Sequence, residues 1–335
     1  MDYFQDNYLV SVVVNTYNNE LHIIDCLKSI TLSTHRNLEI IVVDDASADN
    51  TVNLIKNFIF NNNINLLILP HNVGYTKAFN IGLEQCTGDF ICFCDGDDII
   101  DPKKISIQLD FLVSNNFHVC GTGIHRISPT GVILNQEIYP YDSADILNET
   151  LHSSSMQLCG SSLMLSRKAI DVVGGYSQYM NRTAHEDFEW YLRLSDFFSV
   201  YNIQYPLYSY RFNPYSLTRR VHYSIHKHLS FLYALDVYIF GETPTISLYK
   251  ERLKRVLKYS NYNCRADIYC STLIQHAINK NFYLVFRDIS SIPLSYFFKS
   301  RFIFSLMKSL FILFTPLDIL LFLKSKFKLS HISNV

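Results

Sequence analysis

The chain has 335 residues, of which 48% are hydrophobic, 18% charged and 14% aromatic. This composition excludes a disordered or collagen-like chain and suffices for one large or two ordinary domains. The formal net charge of −1 provides no basic field, so we expect no nucleic-acid partner. Residues 299–335 differ from the rest, since they hold six lysine and arginine residues against one aspartate, a net charge of +5.

The eight cysteines are scattered, and several lie in apolar runs such as 91–94. In a chain of this length the pattern predicts buried free thiols in a reducing compartment rather than a disulfide framework. The first residues include Asp2 and Asp6, where a signal peptide would carry bases. We therefore expect a cytoplasmic protein.

The first third of the chain alternates between two hydrophobic periods. Short β-branched runs predict strands at 9–14, 38–43, 64–69 and 90–94, and helical spacing predicts helices at 20–31, 49–60 and 75–86. Strands separated by helices of this length predict βαβ units and a mostly parallel sheet.

The remainder of the chain is mixed and then helical. The patterns predict a hairpin turn at 127–132, a strand at 155–165, and helices at 166–173 and 187–197. From about residue 220 the pattern is mostly helical. We therefore predict an α/β domain at 1–220 followed by a helical C-terminal region at 221–335.

Three of the predicted strands end in polar residues. These ends are residues 15–18, residues 44–45 and residues 95–98. A single cluster is compatible with ordinary turn chemistry. Because the carboxyl ends of parallel strands share one edge of a sheet, three clusters predict a binding site there.

The sharpest of these clusters is Asp95-Gly96-Asp97. Two carboxylates separated by one small residue can share Mg²⁺ or Mn²⁺, which prefer oxygen ligands and often use only one or two protein carboxylates. The alternative interpretation is a capped turn that follows a strand.

Six segments in order give the chain a resemblance to a known family. They are VVVNTYN at 12–18, IVVDDASADNT at 41–51, NVGYTKAFNIG at 72–82, CDGDDI at 94–99, GGY at 174–176 and HEDFEWYLRL at 185–194. Together they resemble the GT-A-fold family 2 glycosyltransferases over about residues 8–215.

The resemblance implies an α/β GT-A fold, which is a Rossmann-like, mostly parallel sheet flanked by helices. Its nucleotide-sugar half would span about 1–100 and its acceptor half about 101–220. The implied activity is metal-dependent, inverting transfer of a sugar from a UDP-sugar to a glycan or lipid-linked acceptor in surface polysaccharide synthesis. Processive members carry Gln-x-x-Arg-Trp, whereas the single tryptophan here, Trp190, has another context, so non-processive transfer is expected.

The resemblance also implies donor-binding residues. Asp45 is similar to the aspartate that accepts a hydrogen bond from the uracil ring, although it is open to interpretation as an Asx-turn residue. Asn15, Thr16 and Tyr17 resemble the loop that holds the nucleoside. Packing beneath that loop is the alternative for Tyr17.

The same resemblance assigns the metal turn. Asp97 is similar to the main ligand of Mn²⁺ or Mg²⁺, and Asp95, with Gly96, to its partner beside the donor. Lys77 lies where a cation can reach the diphosphate, but the family more often has an arginine two positions later, where this chain has Phe79. A solvated helix face is the alternative for Lys77.

Asp187 resembles the catalytic base of the family. Inverting transfer needs a carboxylate that accepts the proton of the attacking hydroxyl. Asp187 is predicted in the first turn of a helix, where the helix dipole favours its ionised form. The alternative is that Glu186 and Asp187 only complement that dipole. Arg211 could reach a phosphate, but as a lone arginine we expect it at the surface.

The tail at 299–335 is apolar as well as basic. Its run at 309–323 contains Pro316 and Asp318, too interrupted for a bilayer span of ~20 apolar residues. We therefore predict an interfacial helix pair on anionic lipid at the inner face of the cell membrane. A core helix or a homodimer interface remains the alternative.

Two other functions compete with sugar transfer. A nucleotidyltransferase would need a Gly-rich basic loop after the first strand, where this chain has residues 15–18. A non-catalytic membrane scaffold of the same fold would not need Asp45, Asp95, Asp97 and Asp187 together.

Overall fold

The computed structural model describes residues 7–60, 64–153, 156–181 and 185–212. Within them, one compact unit holds residues 7–147, 157–181 and 190–212, and a second holds 148–153, 156 and 185–189. The predicted boundary at 220, the helical region 221–335 and the basic tail lie outside the described residues.

The first unit begins with the predicted alternation of strands and helices. Its elements are β1 (Val10–Thr16), α1 (Ile23–Thr31), β2 (Leu38–Asp44), α2 (Thr51–Ile59), β3 (Ile64–Ile68), α3 (Tyr75–Glu84) and β4 (Phe90–Asp95). Every predicted element of this third is confirmed, with ends shifted by a few residues. The β-branched content of β1 suits its position, because all seven of its residues are buried between neighbouring strands.

The later elements were only partly predicted. They are β5 (Ile99–Ile100), α4 (Lys104–Asn115), β6 (Val119–Ile127), β7 (Ile133–Glu137), α5 (Ser143–Ser153), β8 (Met164–Ser166), α6 (Arg167–Val173), α7 (Glu186–Ser195) and β9 (Val200–Arg211). The hairpin turn between β6 and β7 and the helices α6 and α7 are confirmed.

The predicted strand at 155–165 is wrong for most of its length. A 3₁₀ helix occupies Gly160–Ser162, and only Met164–Ser166 forms a strand. Gly160, Ser161 and Ser162 favour turns, and this local chemistry outweighs the apolar residues around them.

The described strands form one mixed sheet of order β3-β2-β1-β4-β8-β6-β9-β5, with β7 paired to β6. The strands β1 to β4 are parallel, as predicted, and their register sets Thr16 beside Asp44 and Asn15 beside Asp95. The second half adds antiparallel pairs around β8, β5 and β7. The α/β class is confirmed, and its parallel half brings the three polar strand ends together.

Two apolar layers cover the sheet. On one face α1 buries Ile23, Leu27 and Ile30 completely. Elsewhere in the first unit an aromatic cluster joins α3, β4 and α7, and its rings are those of Phe79, Phe93, Tyr176 and Trp190. This cluster holds α3 in place, and the first residues of α3 lie at the polar edge of the sheet.

The six described cysteines are free, and five of them are buried. Burial raises the pKa of the Cys86 and Cys120 thiols to about 12 and that of Cys92 to about 11. These thiols are therefore unreactive at neutral pH. Among the described helices, none combines the length and apolar content needed to cross a bilayer.

Candidate active site

The carboxyl ends of β1, β2 and β4 lie side by side, as the sequence predicts. The turn after β4 is held against β1 by the Gly96 amide, which donates to the Asn15 carbonyl over 2.9 Å. A Cβ on Gly96 would lie 2.7 Å from Thr16 Oγ1 and 2.9 Å from Asn19 Nδ2. Only glycine therefore allows this turn to approach the first strand so closely.

Both carboxylate oxygens of Asp95 accept hydrogen bonds from hydroxyl groups. Tyr75 donates to Oδ1 over 2.9 Å, and Ser161 donates to Oδ2 over 2.6 Å. Neither donor was predicted from the sequence. Tyr75 follows Gly74 at the start of α3, within the family-like segment at 72–82, whereas Ser161 lies in the segment that was predicted as a strand.

Asp97 has the opposite environment. Its side chain is half-buried, and no described residue donates a hydrogen bond to its carboxylate. Its carbonyl oxygen accepts from Arg211 Nε over 2.6 Å. The backbone of Asp97 is thus held while its carboxylate keeps its full capacity for a ligand.

This arrangement fits a cation that needs few protein ligands. In the part of the chain described, no group of three or more His, Cys, Asp and Glu side chains is arranged to hold a metal ion. Mg²⁺ accepts one or two carboxylates and completes its shell with phosphate oxygens and water. The residues that would hold such an ion are Asp97 and, through its remaining lone pairs, Asp95.

Asp98 is buried and structural. Its carboxylate accepts from the Tyr208 hydroxyl over 2.6 Å and from the Arg211 amide over 2.7 Å. Burial, followed by the charges of Asp97 and Asp95, raises the pKa of Asp98 well above its usual range. Asp98 therefore ties the turn to β9.

The carboxylate of Asp45 organises the loop before α3. It accepts the amides of Val73 and Gly74 over 2.7 and 2.9 Å. The Asx turn that was one interpretation of Asp45 is not what the described residues show; the local hydrogen bonds are made by Asp44, which accepts the amide and hydroxyl of Ser47 three positions further on. Each oxygen of Asp45 retains a further lone pair, so the two amides leave capacity for another donor.

The end of β1 and the loop after it present residues of different exposure. Asn15 and Thr16 are buried, and the buried Oδ1 of Asn15 has no hydrogen-bond partner among the described residues. Tyr17 is 47% exposed, so the alternative of packing beneath the loop is not what the structure shows. Asn18 has a positive φ of 52° and accepts the Ala48 amide over 2.8 Å, which connects this loop to the loop after β2.

Lys77 is exposed in the first turn of α3. Phe79, which stands where the family often has an arginine, is buried in the aromatic cluster, with its ring centroid 4.1 Å from that of Tyr176. This chain therefore has no arginine cation at position 79, and the large apolar side chain of Phe79 fills the space. The role of Lys77 stays a prediction.

Asp187 is the second residue of α7 and belongs to the second unit. Its Oδ1 accepts the Phe188 amide over 2.8 Å, as expected for a carboxylate at a helix N-terminus. His185, directly before the helix, has a φ of 75°, a conformation that is uncommon outside glycine and is enriched at functional sites. The catalytic role of Asp187 stays a prediction.

The following turns of α7 are anchored in the first unit. Trp190 Nε1 donates to the Gly174 carbonyl over 2.8 Å, and Arg193 donates to the carbonyls of Val173 and Gly175. Gly174 has a φ of 74°, which explains why a glycine ends α6 there. Gly174 and Gly175 therefore form a tight loop directly after α6.

The expectation that Arg211 lies at the surface is wrong. Its side chain is only 4% exposed, and Nη1 donates to the Pro129 carbonyl over 2.8 Å. Guanidinium donors directed at the carbonyls of Asp97 and Pro129 hold it inside, because a guanidinium can satisfy several acceptors at once, and its backbone amide donates to Asp98.

Comparison with known proteins agrees with this geometry. The sequence model of glycosyl transferase family 2 matches residues 11–174. EpsE of Bacillus subtilis (strain 168), which carries a glycosyltransferase name, is 28% identical over 231 residues, covering 68% of this chain and 78% of EpsE. WfgD of Escherichia coli, a UDP-Glc:alpha-D-GlcNAc-diphosphoundecaprenol beta-1,3-glucosyltransferase, is 36% identical over 109 residues, covering 33% of this chain and 44% of WfgD.

Solved structures show the same fold. The crystal structure of S. aureus TarS 1-349 in complex with UDP-GlcNAc superimposes with a TM-score of 0.60 at 17% identity, covering 91% of this chain and 89% of that one. At this identity the likeness establishes the fold alone. The fold is therefore of the GT-A type. The chain carries a glycosyl transferase family 2 domain over residues 11–174, and the relatives EpsE and WfgD are named as glycosyltransferases.

Proposed function

We propose that the protein catalyses metal-dependent, inverting, non-processive transfer of a sugar from a UDP-sugar to a glycan or lipid-linked acceptor in surface polysaccharide synthesis. Two relatives support the donor and the pathway, since WfgD is named for glucose transfer from UDP-Glc to a diphosphoundecaprenol acceptor and TarS was crystallised with UDP-GlcNAc. Mn²⁺ or Mg²⁺ is the proposed cofactor.

The observation that carries the proposal is the contrast between Asp95 and Asp97. The Asp95 carboxylate is oriented by two hydroxyl donors. The Asp97 carboxylate lies two positions further along the same turn and accepts from no described residue. Such a pair would hold a divalent cation on one side and leave its other positions to a diphosphate. When bound, the ion supplies Lewis-acid neutralisation of the departing UDP.

The donor nucleoside would contact the neighbouring strand ends. Asp45 has an ionised carboxylate that can only accept, so it selects a base edge bearing an N–H, as uracil does. Asn15 contributes a buried amide oxygen that accepts from no residue in the described part of the chain, and Tyr17 presents an exposed ring for stacking. The exposed Lys77 would reach the diphosphate from α3.

The proton of the acceptor hydroxyl would pass to Asp187. A general base for this step must be ionised at neutral pH, and a helix N-terminus favours that form by ~0.3–1 kcal/mol. The amide of Phe188 donates to Oδ1 of Asp187, a contact that favours the ionised carboxylate.

The test combines binding with turnover. Calorimetry should show that Mn²⁺ strengthens UDP binding, that UDP binds better than ADP or CDP, and that a panel of UDP-sugars yields one donor hydrolysed or transferred with release of UDP. UDP binding that ignores Mn²⁺, together with equal competition by ADP and CDP, would overturn the proposal.

A nucleotidyltransferase is the less favoured enzyme class. The end of β1 and the loop after it consist of Asn15, Thr16, Tyr17 and Asn18, without the glycines and basic residues that bind a triphosphate.

For location we propose the cytoplasmic face of the cell membrane, on the basis of the basic apolar tail at 299–335.

A further inference from the structure

The end of strand β9 contacts the metal turn, residues 95–98, at three of its four residues. The hydroxyl of Tyr208 accepts the Asp95 amide over 3.2 Å and donates to Asp98 Oδ2 over 2.6 Å. The Arg211 amide donates to Asp98 Oδ1, and its Nε donates to the Asp97 carbonyl over 2.6 Å. Two residues that lie at least 110 positions further along the chain therefore hold the backbone of the turn in place.

Arg211 also reaches a second loop. Its Nη1 donates to the carbonyl of Pro129 over 2.8 Å, and the Ser128 carbonyl lies at 3.4 Å, both in the turn between β6 and β7. One planar side chain thus connects the metal turn to the β6–β7 turn. A lysine cannot make these contacts together, because its donors lie on a single nitrogen.

The charge of Arg211 is unusual for a residue that only braces two loops. The side chain is 4% exposed, it forms no ion pair with any described carboxylate, and its Nη2 has no hydrogen-bond partner among the described residues. Burial of an unpaired charge is costly. The turn that Arg211 holds carries the carboxyl groups of Asp95 and Asp97, which have the opposite charge when ionised.

The Arg211 guanidinium lies within electrostatic range of the Asp97 carboxylate, since its Nε is 2.6 Å from the carbonyl oxygen of the same residue. His22 responds to both groups. Burial and then the positive charge of Arg211 lower the pKa of His22, while the negative charges of Asp97 and Asp25 raise it.

We propose that Arg211, assisted by Tyr208, is a positioning residue of the metal site, which holds the Asp97 carbonyl in place and offsets carboxylate repulsion before the cation binds. The inference rests on the proposed function. A residue of this kind does not touch the donor; it sets the affinity of the turn for the cation. Partners of metal ligands typically change metal affinity by about 10–100-fold when they are removed.

The test compares two arginines with the same kind of partner. Arg167 donates to the carbonyls of Gly88 and Cys86 at the amino end of β4, whereas Arg211 serves its carboxyl end. Arg211→Lys should raise the Mn²⁺ concentration for half-maximal UDP binding at least about tenfold, measured by calorimetry. Arg167→Lys should lower the melting temperature and leave that Mn²⁺ concentration unchanged.

The outcomes separate the inference from the proposed function. A wild-type protein whose UDP binding ignores Mn²⁺ overturns both. A wild type that responds to Mn²⁺, with Arg211→Lys responding at the same concentration, overturns the inference alone. If Arg211→Lys does not fold, Tyr208→Phe decides, since it deletes only the hydroxyl: a shift of about threefold or more in the Mn²⁺ concentration supports the positioning role, and an unchanged value overturns it.

Discussion

Ser161 and Asp95 are joined by a hydrogen bond of 2.6 Å although 66 positions separate them in the chain. Tyr75 donates to the other oxygen of the same carboxylate. Two neutral donors from different elements thus determine the orientation of one side chain in the candidate metal turn. The consequence is that the geometry of Asp95 depends on residues that carry no charge and belong to no acidic motif.

The first prediction concerns this hydroxyl pair. Ser161→Ala should reduce kcat/KM by about tenfold, because a hydrogen bond to a charged acceptor contributes roughly 1.5–3 kcal/mol. Ser161→Thr keeps the hydroxyl and is the matched control. The double variant with Tyr75→Phe should show a non-additive loss, since both donors act on one carboxylate. Additive losses in steady-state kinetics would show that the two hydroxyls act independently.

The second prediction contrasts two neighbouring carboxylates. Asp97→Asn should abolish turnover and the Mn²⁺ dependence of UDP binding while the melting temperature changes little, because no described residue donates to the Asp97 carboxylate. Asp98→Ala should instead lower the melting temperature, since it leaves the buried Tyr208 hydroxyl and Arg211 amide without their acceptor, at about 1–3 kcal/mol each. Calorimetry and thermal denaturation of both variants check the contrast. A stable Asp98→Ala protein would argue against its structural role.

The third prediction tests the base. Asp187→Asn preserves size but cannot accept a proton at neutral pH, so transfer should fall by at least ~100-fold while UDP-sugar binding stays near that of the wild type. If Asp187 only complements the helix dipole, the variant loses well under ~2 kcal/mol of stability and keeps its turnover. Near-normal turnover would move the role to Glu186.

The fourth prediction concerns pH and Glu39, which is remote from the proposed chemistry. Burial raises the pKa of Glu39, but hydrogen bonds from Ser11, Thr87 and Gly88 outweigh burial and hold it below its ordinary value of 4.5. A depressed folded-state pKa stabilises the protein above the unfolded-state value, and this stabilisation is lost as the pH falls through the folded-state value.

Glu39→Gln should therefore lower the melting temperature at pH 7, and the difference from the wild type should shrink below about pH 4.5. Thermal denaturation between pH 3.5 and pH 7 measures it. Glu84, an exposed residue of α3, provides the matched control Glu84→Gln, for which we expect no comparable pH dependence. A constant difference across the range would contradict the ionised role of Glu39.

The fifth prediction concerns the tail at 299–335, which lies outside the described residues. Its net charge of +5 should bring the full chain to anionic vesicles but not to neutral ones, and salt should weaken the binding. Replacement of Lys324, Lys326 and Lys328 by glutamine should reduce co-sedimentation with the anionic vesicles. Equal binding to both vesicle types would favour an apolar contact instead.

The sequence by itself determined the first half of the sheet and the location of the polar edge. The apolar runs of β1 and β4 and most of that of β2 are buried on both sides, so their local composition already favours parallel strands. Once the strands are parallel, their carboxyl ends must share one edge of the sheet. Residues 15–18, 44–45 and 95–98 therefore lie together at that edge.

The tertiary structure alone decided which groups hold those residues. Ser161, Tyr208 and Arg211 all contact the metal turn. The local pattern predicts a strand around Ser161 and a surface position for Arg211, and it makes no prediction for Tyr208. Hydrophobic periodicity encodes whether a residue is buried in its own element, but not which distant element lies against it. Those partners are set by how β9 and the 3₁₀ helix at 160–162 pack against the turn that follows β4. A buried polar group there must find its donor or acceptor in whichever segment the fold places beside it.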